Sequence, residues 1–515
     1  MQLTLLSTSD THGFITPTNY VQRDMDLPFS LSKAKTVIDQ LKQAATGPVL
    51  TIENGDFLQG SPLAYYAARV KTQPALETAA YNTVGYDAGI IGNHEFNYGS
   101  DYLKAAIATL DYPILCANIL AAGQPAFGQP YQLFVRAGVT VAVLGLTTAY
   151  IPHWEGHANI AGLTFADVVE TAKRWVPRLH ELADVVVVAY HGGFERDLET
   201  GAPTEALTGE NVAYALTQVP GVDALITGHQ HRELAGVVNG VPVNQPGYRG
   251  ANVGVITLTL ARDDQGVHVT AATAALAATA AASATPAVLN TVAETSAAVE
   301  DWLDAPLGRV TGDMTIQDPA AARLREHPYI EFINCVQQAA TGTDIAGTAL
   351  FNNEGRGFGA LITMRDVVTN YIYPNTLAVM ALSGADLKAA LEQDAEYFSL
   401  DDAGQLMVTP RFAEPKPQHY NYDMYDGIDY TLDITQPVGQ RVTRLVYHGA
   451  PVKATDQLEV TVNQYRAAGG GNFAMFDPSK VIRENQKDMT ELIADYLRAN
   501  PVITATTDDN FRVQA

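Results

Sequence analysis

An α/β fold followed by a smaller α+β domain is what the sequence predicts, on three observations. The chain has 515 residues, more than one hydrophobic core usually serves, so two or three domains are expected. Its first half alternates short apolar runs with longer amphipathic segments, the pattern of strands layered with helices. Near residue 270 the composition breaks: TAATAALAATAAASATPAVL, residues 270–289, is almost wholly Ala, Thr and Ser and carries no charge.

Along the chain, LTLLS (3–7) reads as a first strand and SKAKTVIDQLKQAA (32–45) as a helix. VLTI (49–52), AGII (88–91) and VAVLGL (141–146) read as further strands. FADVVETAKRWVPRLHELA (165–183) has helical spacing, and DVVVVAY (184–190) and DALIT (223–227) complete the strands. PAVLNTVAETSAAVEDWL comes after the break and reads as a helix with Pro286 near its start, where a missing N–H costs nothing. The expected division is therefore residues 1–285, a linking helix at 286–306, and 307–515. The last part mixes helical segments with β-rich ones such as DYTLDIT and QLEVTVN.

Composition narrows the function. Hydrophobic residues make up 47% and charged residues 17%, as in an ordinary globular protein rather than a disordered one. The net charge of -24 argues against a sequence-independent grip on DNA or RNA, which requires a basic surface. A small anionic substrate remains compatible, because bound cations reverse the local field. Two cysteines, Cys116 and Cys335, imply no disulfide framework and no CxxC zinc motif. No run approaches the ~18 apolar residues of a membrane span, and the N-terminus MQLTLLSTSD lacks the basic and apolar regions of a signal peptide. A cytoplasmic protein without a membrane or nucleic-acid polymer partner is expected.

The loops that end the strands are more specific. After the first strand comes SDTHG, with Asp10 and His12. After the second comes GDFLQG, with Asp56. After the third comes GNHEF, with Asn93 and His94. After DVVVVAY comes His191, and after DALIT comes GHQH, with His229 and His231. Each alone is a turn, a cap or a lone polar residue. Together they are five loops at the carboxyl ends of strands, which in open α/β sheets converge on one crevice. Two carboxylates, one amide and four histidines are too many donors for one ion and about right for two. This oxygen and imidazole set suits Mn, Zn, Co, Fe or Mg rather than a thiolate metal. A two-ion site clamps both oxygens of an in-line phosphoryl displacement.

The order D-x-H, G-D-x-x-x-G, G-N-H-E, H-G-G, G-H-x-H resembles the calcineurin-like metallophosphoesterase superfamily. GNHEFNYG, YPNTL and YRAAGGGNF resemble its two-domain 5'-nucleotidase and 2',3'-cyclic-nucleotide 2'-phosphodiesterase family. The resemblance implies a four-layer αββα sandwich joined to a nucleotide-binding C-terminal domain. It implies one ion on Asp10, His12 and His231, a second on Asn93, His191 and His229, and Asp56 as the bridge. His94 would then act beside the phosphate, with water activated on the ion pair attacking phosphorus. In 5'-nucleotidases the residue three beyond that histidine is typically Asp; here it is Asn97. That resembles the branch acting on 2',3'-cyclic nucleotides and 3'-nucleotides, with a 5'-nucleotidase or nucleotide-sugar hydrolase as the alternative. A non-catalytic nucleotide-binding protein is the alternative of another class; it would be expected to lose metal ligands, and none is lost. In the C-terminal part the resemblance places base-stacking rings at Tyr422, with Tyr420 and Tyr425 as competitors, and at Phe473. It also places a phosphate- or ribose-contacting pair at Asn353 and Arg356.

Overall fold

The computed structural model describes residues 1–515 apart from 205, 206, 265, 415 and 486. It divides into two compact units, residues 1–152 with 157–299, and 153–156 with 300–515.

The first unit is a sandwich of two six-stranded sheets. One runs, edge to edge, Gly266–Ala278, Asn252–Asp263, Gln2–Thr8, Val49–Glu53, Ala88–Ile90 and Ile114–Leu115. The other runs Glu233–Val238, Val241–Pro246, Ala224–Ile226, Val185–His191, Val139–Thr147 and Tyr131–Arg136. Gln2–Thr8, Val49–Glu53, Ala88–Ile90 and Ile114–Leu115 pair in parallel, as do Val139–Thr147, Val185–His191, Ala224–Ile226 and Val241–Pro246.

The unbroken apolar run of Val185–His191 has a structural reason: both of its faces are buried. Val185, Val187 and Ala189 join Leu5, Ile52 and Ile90 of the other sheet in the core between the sheets. Val186, Val188 and Tyr190 face outward and meet Val168, Ala172, Val176 and Leu179 of the helix Val168–His180. On the other sheet the helix Leu31–Ala44 packs along Asn252–Asp263. Its start is capped by Ser30, whose side chain accepts from the Lys33 N–H.

The first part of the Ala/Thr-rich stretch, residues 270–278, is sheet. Gly266–Ala278 is an edge strand paired antiparallel with Asn252–Asp263. Val267, Val269, Ala272 and Ala274 pack on the sandwich core, and the opposite face is open to solvent. Its pairing with Asn252–Asp263, rather than the strand propensity of alanine, makes this segment a strand. The helix Pro286–Leu303 then begins, and most of it belongs to the first unit.

The second unit is α+β. A five-stranded sheet runs Asp423–Asp426, Ile345–Ala349, Gln457–Asn463, Leu377–Ser383 and Val481–Asn485, and a four-stranded one runs Ala450–Pro451, Val442–Tyr447, Asp429–Asp433 and Phe511–Gln514. The helices Met364–Asn370 and Gly384–Asp394 each begin with a capping box, Thr363 with Asp366 and Ser383 with Asp386. No described helix is long and apolar enough to cross a membrane.

Candidate metal centre

Parallel pairing puts the carboxyl ends of both sheets' central strands on one side, and the five loops meet there. Asp10, His12 and His231 place ligand atoms within 4.8 Å of one another, and so do Asp56, His191 and His229. His12 Nε2 lies 3.0 Å from His231 Nε2, and His231 Nε2 lies 3.5 Å from Asp10 Oδ1. His191 Nε2 lies 3.1 Å from Asp56 Oδ2 and 3.3 Å from Asn93 Oδ1. Asn93 Oδ1 is also 2.8 Å from His229 Nδ1. All seven side chains expected as ligands are thus gathered, in two groups.

The loops hold these side chains at a conformational cost. Asp10, His12, Asp56, His229 and His231 all have positive φ, between 51° and 71°. Left-handed backbone costs a non-glycine residue about 1 kcal/mol or more, and it persists here because it turns each side chain toward the centre. The glycines of the motifs clear the space. A Cβ on Gly92 would lie 2.2 Å from Asp56 Oδ1, and one on Gly228 would lie 2.7 Å from Asp10 Oδ2.

Hydrogen bonding selects which atoms face inward. His12 Nδ1 donates to the Gln59 carbonyl at 2.8 Å and His191 Nδ1 to the Asn54 carbonyl at 2.7 Å. Their Nε2 lone pairs therefore point into the site, next to other acceptors. Asp56 Oδ2 is buried and accepts no hydrogen bond. Acceptors packed against acceptors repel unless a cation lies between them, so the donor set fits metal ions. Without a cation the same crowding drives protons onto imidazole: burial opposes it, but the Asp56 carboxylate outweighs burial and raises His191 to about 10. Burial would raise Asp56, yet His191 and His94 hold it well below the usual carboxylate range.

Beside the two groups stands His94, half-buried. Its backbone N–H donates to Asp56 Oδ1 at 2.8 Å, and its Nδ1 donates to Asn97 Oδ1 at 2.7 Å. Its ring centroid is 5.2 Å from that of His12.

Three supporting residues escaped sequence reasoning. Glu95 is fully buried and accepts from the backbone N–H groups of Asp56, Phe57, Leu58 and Gly92 at 2.5–3.1 Å. It ties the Asp56 loop to the Asn93 loop, and an acid directly after His94 was the visible signal. Tyr248 stacks on His231 with centroids 4.9 Å apart and planes 3° from parallel. Glu210 reaches His229 Nε2 at 3.1 Å. Neither of the last two belongs to a motif.

In the second unit the expectations fare unevenly. Tyr422 is fully buried; its ring stacks on Tyr397 and its hydroxyl donates to the Arg323 carbonyl. With no accessible face it cannot stack on a base, which corrects that expectation. The competitor Tyr425 is buried too. Phe473 is 1% exposed, with the Arg466 guanidinium 3.7 Å from its ring centroid, and is likewise a core side chain. Tyr420, the other competitor, is half-buried, and its ring lies edge-to-face with half-buried Tyr465 at 6.0 Å. Asn353 and Arg356 are exposed on one loop, with Asn353 Oδ1 accepting from Arg323 Nη1 at 2.8 Å.

Comparison with known proteins agrees with this geometry. Residues 3–233 match the calcineurin-like phosphoesterase model, and residues 306–478 match the 5'-nucleotidase C-terminal domain. The chain is 29% identical, over all its length and 88% of the relative's, to a 2',3'-cyclic-nucleotide 2'-phosphodiesterase/3'-nucleotidase of Yersinia enterocolitica. It is 28% identical to the enzyme of the same description from Haemophilus influenzae, across 99% of this chain and 87% of that one. A solved Staphylococcus aureus structure, described as a putative 5'-nucleotidase in complex with alpha-ketoglutarate, superposes with a TM-score of 0.94 at 38% identity, covering all of both chains.

Proposed function

The chain belongs to the calcineurin-like phosphoesterases and carries the C-terminal domain of the 5'-nucleotidases, and on that footing we propose that it hydrolyses 2',3'-cyclic nucleotides and 3'-nucleotides. The class of enzyme, a metal-dependent phosphoric ester hydrolase, goes with the family. One observation carries the chemistry: seven donor side chains from five loops converge in two adjacent groups with their lone pairs turned inward. Asp10, His12 and His231 would hold one ion, Asn93, His191 and His229 the other, and Asp56 would lie between them. When bound, two such ions supply Lewis acidity toward the phosphoryl oxygens and acidify water toward neutral pH.

The protein's own residues do the rest. His94 is anchored through Nδ1 on Asn97, and in its protonated form it carries a second N–H, on Nε2, that can donate a hydrogen bond or a proton to the departing sugar oxygen. Glu95 keeps the Asp56 and Asn93 loops in register. A nucleobase would find its aromatic contacts at Tyr420 and Tyr465, one ring offering a face and the other an edge. Arg356 offers a guanidinium fork suited to phosphate.

Support for the cyclic and 3' substrates comes from Asn97, a neutral partner where an acid would stabilise imidazolium, and from the two relatives so described. A 5'-nucleotidase is the second reading, favoured by the likeness to the Staphylococcus aureus protein. The test is a side-by-side assay of metal-loaded protein on 2',3'-cAMP, 3'-AMP, 5'-AMP and bis(p-nitrophenyl) phosphate. Faster turnover of the first two is expected; faster turnover of 5'-AMP overturns the ranking.

A further inference from the structure

Of the histidines in the centre, His12 and His191 are each oriented by a backbone carbonyl, of Gln59 and Asn54. His229 differs. Its Nδ1 faces Asn93 Oδ1 at 2.8 Å, and its Nε2 faces the Glu210 carboxylate at 3.1 Å. Both partners present lone pairs, and Asn93 is itself among the residues that would hold an ion; with an ion between Nδ1 and Asn93 Oδ1, the ring proton belongs on Nε2, donated to Glu210.

Glu210 is held for this task. It lies in the irregular segment between the strand Val185–His191 and the short helix Ala213–Leu216. Its backbone carbonyl accepts from Thr148 Oγ1 at 2.7 Å and from the Tyr190 hydroxyl at 3.1 Å. Tyr190 is fully buried and adjoins the ligand His191. The carboxylate is thus anchored at its root and aimed at His229.

We propose that Glu210 is a positioning residue that fixes His229 in the Nε2–H tautomer and raises the basicity of its Nδ1 toward one ion of the pair. A carboxylate hydrogen-bonded to a metal-bound imidazole sets ring orientation and donor strength, and losing such a partner typically costs about 10- to 100-fold in affinity. Its charge matters as well. Asp10 and Asp56 supply two negative charges against the four of two divalent ions, and Glu210 adds a third close by.

This inference rests on the two-ion reading, and manganese titration of the full chain by calorimetry separates the two. Wild-type protein is expected to bind two ions; fewer would sink that reading itself. Glu210→Ala is expected to weaken one ion by about 10- to 100-fold and leave the other unchanged. Glu210→Gln, whose amide oxygen still accepts the Nε2 proton but carries no charge, should recover part of the loss and fall between wild type and Glu210→Ala. Two ions bound by Glu210→Ala with wild-type affinities, or both weakened alike, overturn the proposal. Should neither variant fold, long-range 1H–15N spectra of zinc-loaded wild-type protein decide. A protonated Nε2 on His229 is expected; a protonated Nδ1 contradicts it.

Discussion

His94 Nδ1 and Asn97 Oδ1 are 2.7 Å apart, a hydrogen bond that spans three residues of one loop and sets the orientation of the ring beside the metal centre. The acceptor is neutral, so it aligns the imidazole without strongly favouring its charged form. Asn97→Asp keeps the geometry and adds the charge. The limb of the kcat/KM profile governed by His94 is expected to move to higher pH by about one unit or more, with an unchanged melting curve. Superimposable pH profiles would count against His94 as the proton donor.

The positive φ values of five ligand residues imply that the site is stabilised by its ions and strained without them. His231→Gly replaces one such residue by the type that adopts left-handed backbone without steric penalty. The ion-free variant is expected to melt at the same temperature as ion-free wild type or a few degrees above it, while ion stoichiometry falls. Chelation should lower the melting temperature of wild type more than that of the variant, which scanning calorimetry with and without EDTA measures. A large loss of ion-free stability in the variant refutes the strain.

In the second unit Arg466 and Asp423 form an ion pair at 2.6 Å with both side chains 1% exposed. The guanidinium also covers Phe473 and reaches the carbonyl of Tyr420. Arg466→Met leaves Asp423 charged and buried, and a cost of about 3–5 kcal/mol is expected in urea unfolding of the second unit. The double variant Arg466→Met, Asp423→Leu should recover much of it. A cost below ~1 kcal/mol would show the pair to be unimportant.

His419 provides a pH test. Burial, with help from Arg323, lowers it to about 4, and its Nδ1 lies 2.6 Å from the Tyr397 hydroxyl. The unfolded chain takes up this proton near pH ~6.5, and the folded one only near pH 4. The unfolded state therefore binds more protons in that window, and stability falls as pH drops through it. His419→Gln should flatten the decline in melting temperature across that window, and an equal decline in both proteins would contradict it.

The centre was legible in the sequence because its ligands sit directly after strands, and the spacing of strand and loop survives in the linear order. Asp10, Asp56, Asn93, His191 and His229 each stand at the end of an apolar run or a few residues beyond it. Glu210 and Tyr248 were not legible, since they lie in irregular segments and act only through contacts set by tertiary structure. Tyr422 misled for the converse reason. In a segment so rich in tyrosine, residue type does not tell a buried ring from a half-exposed one, and the turn that leads into the strand Asp423–Asp426 directs Tyr422 inward. The strand Gly266–Ala278 was not legible either, because alanine is a poor strand former and the pairing with Asn252–Asp263 that makes it one is set by tertiary structure.

Elemental analysis paired with activity tests the central claim most directly. Protein loaded with manganese, desalted and assayed should carry two ions per chain, and His191→Ala should lose at least one of them together with turnover. Full turnover of nucleotide by protein carrying one ion or none would contradict the account.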